Sequence, residues 1–144
     1  MKRLTEDLLA RLLASESPQD YLNHEATIDC SLSDYLYDLL ADRGIKRAEV
    51  IRKSGLNPSF VYDIFAGKTK PGRDNAIMLA FGFGCSLRET QRLLRLAGVS
   101  ELWPKVRRDA IIIWCINEKM TREACDDELW GFREKTLLGT SPLS

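Results

Sequence analysis

Apolar residues along this chain recur three and four positions apart, and no run sustains strand-like alternation, so the pattern predicts an all-α protein. Leu4, Leu8, Leu9, Leu12 and Leu13 mark an N-terminal amphipathic helix that should end near "SESP", where Pro18 bars its continuation. Residues 19–30 read as a looser connector. In "SLSDYLYDLLADRG" the residues Leu32, Leu36, Leu39 and Leu40 line one face and Gly44 closes the helix. Three short helices follow, over 47–53, 58–66 and 74–83, the middle one announced by Asn57 as N-cap and Pro58 at the first helical position. Ser86-x-x-Glu89 is a capping box opening "SLRETQRLLRLAG", with Leu87, Leu93, Leu94 and Ala97 inward and Gly98 as its stop. After "VSELWP" another helix runs through "RRDAIIIWCINE", and Thr121 starts a last one through Leu129 or Trp130.

A weak self-similarity runs through the second half at a spacing of 35 residues. Arg73-Asp74 matches Arg108-Asp109, Ile77 matches Ile112, Ser86 matches Thr121, Leu94 matches Leu129 and Leu102 matches Leu137. Each copy reads as helix, capped turn, helix. Two stacked hairpins from a duplication and a chance likeness between two amphipathic hairpins are both compatible with that spacing. Trp103, Trp114, Trp130 and Phe132 concentrate aromatic mass in the C-terminal hairpin and are expected to form core, against the alternative of an exposed partner groove.

Composition narrows the function classes. At 144 residues, 44% hydrophobic and 29% charged, the chain can bury a core and fold unaided. The longest apolar run, "AIIIWCI", has seven residues against the roughly 20 that cross a bilayer. Glu6, Asp7 and Arg11 fall where a secretory signal would be apolar, so no membrane partner and a cytoplasmic location are expected. Cys30, Cys85, Cys115 and Cys125 form no CxxC pair and His24 is the single histidine, so neither a metal site nor any other cofactor is expected. No catalytic triad, acid/base pair or phosphate-binding glycine loop is present, and an enzyme is not expected.

Charge is zero overall but unevenly distributed. Residues 1–42 carry three basic and nine acidic groups, a balance of −6. Residues 43–73 carry eight basic groups against Glu49 and Asp63, a balance of +6. A basic segment between acidic and neutral ones is the footprint of a phosphate-binding face, or else a solvated surface that happens to be basic.

That basic segment contains "KRAEVIRKSGLNPSFVYDIF". Ala48, Val50 and Ile51 face inward from a first helix, Gly55 and Leu56 make a short turn, and Val61, Ile64 and Phe65 hold a second helix down. Helix, short glycine turn, helix is the geometry that lets a second helix enter the DNA major groove. With the preceding helix ending in "RG", then "GKTKP", "RDNAIMLAFGFG" and the capped "SLRETQRLL", the order of five helices over about residues 32–96 resembles the lambda-repressor-like, or xenobiotic-response-element type, helix-turn-helix family. Ile51, where the family usually has a small residue, and Ser54, in place of an apolar turn neighbour, depart from the pattern.

The resemblance implies double-stranded DNA as partner and a homodimer as the form that binds it. Arg47, Lys68, Lys70 and Arg73 would hold phosphates, which fixes register without reading sequence. Asn57, Pro58, Ser59, Tyr62 and Asp63 would face base edges. Pro58 offers no side-chain hydrogen bond and Asp63 would repel phosphates, so direct readout is thin. Phe60, Tyr62 and Phe65 make the second helix aromatic, either as core or as an apolar contact to thymine methyls or a protein. Phe60, Tyr62 and the leucines Leu4, Leu8 and Leu12 are therefore candidates for a partner surface, the N-terminal helix folding back or docking on a second copy.

The expected organisation is an N-terminal helix and connector over 1–30, a five-helix lambda-repressor-like helix-turn-helix domain over 31–98, a helical hairpin over 99–138 and a flexible tail over 139–144. Two functions follow from it: a DNA-binding transcriptional regulator, or a protein-interaction adaptor or antitoxin-like partner on the same scaffold.

Overall fold

The computed structural model describes residues 5–24 and 30–142, and these are all-helical, with nine helices and no strand. None of the nine is long and apolar enough to cross a membrane. Leu4 and residues 25–29 lie outside the described part.

Helix α1 (Thr5–Ala14) is followed at once by α2 (Pro18–His24), which corrects the expected connector. Pro18 does stop the first helix, but its fixed φ and missing N–H suit the first position of the next one equally well. Helix α3 (Leu32–Arg43) begins at Ser31, whose hydroxyl accepts the Asp34 N–H, and ends at Gly44 with φ +61°. Helices α4 (Arg47–Ser54), α5 (Pro58–Phe65), α6 (Arg73–Phe83) and α7 (Leu87–Leu96) follow within a residue or two of the expected bounds. Both arms of the Ser86/Glu89 capping box are made. Helices α8 (Arg107–Asn117) and α9 (Arg122–Gly131) form the last hairpin, with the Thr121 hydroxyl capping α9.

One hydrophobic core runs from Leu32 in α3 to Leu137 after α9. Its tightest crossing is α4 on α6, where a Cβ placed on Gly82 would lie 2.6 Å from the Val50 carbonyl oxygen and 3.0 Å from the Ser54 Cβ. Glycine at 82 is what lets the two backbones approach. Ser54 is buried there, its hydroxyl donating to the Ile51 carbonyl and accepting the Leu56 N–H, while Ile51 is only half-buried.

The 35-residue spacing holds throughout the structure. The Arg73 guanidinium donates to both oxygens of Asp109 at 3.0 and 2.7 Å, and Arg108 donates to both oxygens of Asp74 at 2.9 and 3.1 Å. Within its own copy Arg73 also donates to the carbonyls of Ser100 and Glu101, and Arg108 to those of Lys135 and Thr136. The Leu102 N–H donates to the Gln91 amide oxygen as the Leu137 N–H donates to Asp126. Even the left-handed turn positions correspond: Gly84 (φ +69°) with Lys119 (φ +57°), and Gly98 (φ +77°) with Arg133 (φ +62°). So many matched bonds at one spacing, with no insertion between copies, make α6–α7 and α8–α9 a true structural repeat.

The exchange of Arg73–Asp109 for Arg108–Asp74 also fixes how the copies meet. Residue i of one touches residue j of the other, and j touches i, which is the signature of two-fold rather than head-to-tail packing. Consistently, α6 meets α9 as α7 meets α8. The hairpins pack face to face about a pseudo-two-fold axis, and α3–α5 cover the far side of the first.

Candidate nucleic-acid interface

The α4–α5 unit owes its geometry to three local features. Gly55 at φ +78° ends α4 in a conformation that costs other residues energy. The Asn57 side-chain oxygen accepts the Phe60 N–H at 3.3 Å, starting α5 only two residues later. Val61, Ile64 and Phe65 are fully buried, and the Ser33 hydroxyl donates to the Phe65 carbonyl, pinning the end of α5 to α3. The Phe65 ring meets Tyr37 edge-on at 5.1 Å and Phe83 at 6.1 Å.

The opposite side of α5 faces solvent. Pro58, Ser59, Tyr62 and Asp63 are all exposed, as are Lys68 and Lys70 just beyond the helix. Arg47, at the start of α4, lies with its guanidinium 5.0 Å from the Tyr62 ring centroid and 6.0 Å from that of Phe65. This cation–π contact orients both side chains on one surface. Lys46, the N-cap of α4 beside Arg47, is also exposed; it counts in the basic segment without a site role. The structure thus brings Arg47 onto the exposed face of α5, and Lys68 and Lys70 follow the end of that helix, exposed.

Other expected site residues are placed differently. Arg73 departs from the expectation: its guanidinium donates to both Asp109 oxygens and to two backbone carbonyls, a pairing within the scaffold that competes with any phosphate. Arg43, counted in the basic segment, is likewise paired with Glu89. Asn57 spends its side-chain oxygen on the cap, leaving only its amide NH2 for a ligand. Phe60, a partner-surface candidate, is half-buried against the core, whereas Tyr62 is open. In α1, Leu8 is half-buried and Leu12 exposed, but Leu9 and Leu13 are the more exposed leucines.

Charged groups inside the scaffold are paired. Burial alone would raise the Asp109 carboxyl, but the Arg73 guanidinium and the Trp103 N–H outweigh it and hold the group below its ordinary range. Glu89 is lowered by the same balance, its burial outweighed by the Ser86 N–H and Arg43. Burial pushes the Cys85 thiol up to about 12, which leaves it inert at neutral pH. Arg122 is buried at the start of α9, bonded to Asp126 at 2.6 Å and to Glu123 at 3.1 Å. A Cβ on Gly55 would fall 2.9 Å from its Nε, so the second hairpin reaches the turn between α4 and α5.

The aromatic expectation for the C-terminal hairpin is overturned. Trp103, Trp114, Trp130 and Phe132 are all about half exposed, not core. The inward positions of α8 and α9 are taken by Ile112, Cys115, Ile116, Cys125 and Leu129. The tail expected to be loose from residue 139 begins with a closed turn, in which Thr136 and Thr140 exchange hydrogen bonds.

Comparison with known proteins adds no family to this geometry: no protein-family model, curated protein or solved structure matches the chain.

Proposed function

We propose that this protein is a DNA-binding regulator that lays α5 in the major groove. One observation carries the reading: an exposed face of a short helix, held from behind by Val61, Ile64 and Phe65, with Arg47 stacked on its Tyr62 and the exposed Lys68 and Lys70 following its end. A helix held this way meets the groove as a rigid body, and cations next to it suit phosphates beside a groove. Ser59 and the Asn57 amide are the remaining hydrogen-bonding groups at the leading end of α5. Tyr62, held by Arg47, offers an apolar edge to thymine methyls. Affinity in this reading comes mainly from phosphates, and selectivity from few base contacts and from DNA shape.

Binding to a random-sequence DNA pool at two salt concentrations tests it. A regulator enriches a sequence family and loses affinity steeply with salt; failure to bind at low salt refutes the reading. The adaptor function is the second reading, supported by the half-exposed aromatic side chains of α8–α9. It predicts retention of a protein partner by a chain whose DNA binding is absent.

A further inference from the structure

The internal repeat shows what the second hairpin lacks. Positions Ala76, Leu79, Phe83, Leu93 and Ala97 of α6–α7 are all buried. Thirty-five residues later stand Ile111, Trp114, Glu118, Glu128 and Phe132, of which Ile111 and Glu128 are half-buried and the rest exposed. Contact between the two hairpins is shared equally by the pseudo-two-fold, so the extra burial in the first copy comes from elsewhere. Phe65 of α5 against Phe83, and Val50 and Ser54 of α4 against Gly82, identify α3–α5 as the cover.

On the second copy the corresponding face is open. Ala110, Ile111 and Trp114 of α8 and Glu128 and Phe132 at the α9 end enclose a hollow of about 350 Å³ there. Arg107 sits over Phe132, with its guanidinium 6.0 Å from the ring centroid, donating to the Phe132 carbonyl and 3.7 Å from Glu134, and the exposed Arg133 follows Phe132 in the chain. The fold has thus built a helix-receiving face twice and filled it once. The same chain carries an uncovered helix of matching character: α1 exposes Leu9 (54%), Leu12 (42%) and Leu13 (76%), and its first turn bears Glu6 and Asp7 opposite in sign to the arginine rim. Within a single chain both surfaces remain open.

We propose that the leucine face of α1 from one copy docks in the Trp114–Phe132 hollow of a second copy, so that two chains exchange arms about a two-fold axis. The exchange covers both apolar surfaces of both chains at once and closes the assembly at two. Trp114 and Phe132 are the anchors, large rings around a hollow deep enough for a leucine side chain. This docking goes beyond DNA reading and uses none of the α5 surface.

Sedimentation of the full chain with two variants tests it. The arm variant is Leu9→Ser/Leu13→Ser; the face variant is Trp114→Ser/Phe132→Ser. All four positions are already solvent-exposed, and helix content by circular dichroism checks that each variant folds. The wild type is expected to be a dimer, and each variant alone to self-associate roughly thirtyfold more weakly or worse. Mixing the two variants should restore a heterodimer, because the intact arm of one fits the intact face of the other. A monomeric wild type overturns the proposal. So does an arm variant that stays dimeric, which would mean faces pair with faces, or a face variant that stays dimeric, which would mean arms pair with arms. Failure of the mixture to associate overturns it as well.

Discussion

Hairpins α6–α7 and α8–α9 share caps, turns and cross-bonded arginines, yet one is buried on both sides and the other on one. The shared positions, Ile77/Ile112 and Leu94/Leu129, are apolar and fully buried in both copies, because each hairpin needs them for itself and for its twin. The largest change of character is on the outward face, where the first copy has Ala76, Leu79 and Phe83 fitted under α3–α5 and the second has Ile111, Trp114 and Glu118. Backbone geometry is therefore set by the common residues, and partner choice by the outward ones.

The strongest test of that division is Gly82→Ala against its register mate Asn117→Ala. A methyl at 82 meets the Val50 carbonyl at 2.6 Å and should cost ~3 kcal/mol, or roughly 10 °C in Tm. Asn117 is exposed and its change should stay within about 0.5 kcal/mol. Equal effects in thermal unfolding would mean that both faces are covered.

Next are the two acids of the reciprocal ion pairs. The Asp109 side chain is 4% exposed and that of Asp74 28%. Asp109→Asn should cost about 2–3 kcal/mol and Asp74→Asn about 1, since the Asp109 carboxylate is the more buried of the two and also accepts the Trp103 N–H. Because the Asp109 carboxyl is lowered in the fold, its contribution is present above the unfolded value of about 4 and is lost as pH falls toward its folded value. Urea titrations should show wild-type stability declining below about pH 4 more steeply than that of Asp109→Asn. Parallel pH curves would remove Asp109 from the account.

Hairpin one is predicted to support the reader without touching its ligand. Lys68→Ala and Lys70→Ala should each lower the slope of log affinity against log salt by about one, across all DNA sequences. Arg73→Ala should lower Tm and leave that slope unchanged. A reduced slope in the Arg73 variant that remains folded would place it on the phosphates after all.

The smallest effect concerns the turns. Where the first copy has Gly84 and Gly98, the second forces Lys119 and Arg133 into positive φ. Lys119→Gly and Arg133→Gly should each stabilise by about 0.5 kcal/mol, the relief of left-handed strain exceeding the added chain entropy. Destabilisation by either would mean that the lysine or arginine side chain makes a contact worth more than that strain.

Much of this was legible in the chain, for reasons visible at particular residues. Asn57-Pro58, Ser86-x-x-Glu89 and Gly44 act locally, so the helices they bound fell close to where sequence placed them. Pro18 was misread because proline both ends a helix and begins one. Arg73 was placed on phosphates by the resemblance, which takes no account of its partner Asp109, although the paired Arg-Asp motifs 35 residues apart pointed to that pairing. The tryptophans were expected inside on aromatic mass alone; aligned with the first copy, Trp114 falls on Leu79, on the side that only α3–α5 cover. Around α5, the resemblance named Lys68, Lys70 and Tyr62, which are exposed, whereas the Arg47–Tyr62 stacking depends on how two helices cross and no sequence pattern carries it.

An interface with two-fold character normally dissociates on dilution, its occupancy set by protein concentration. Here both halves belong to one polypeptide, joined through the short segment between Leu102 and Arg107, so each faces its twin at a fixed and high effective concentration. The platform beneath α4 and α5 consequently keeps its shape at any protein level. A cell holding only a few copies would still have the face of α5 presented in the same way in every one of them.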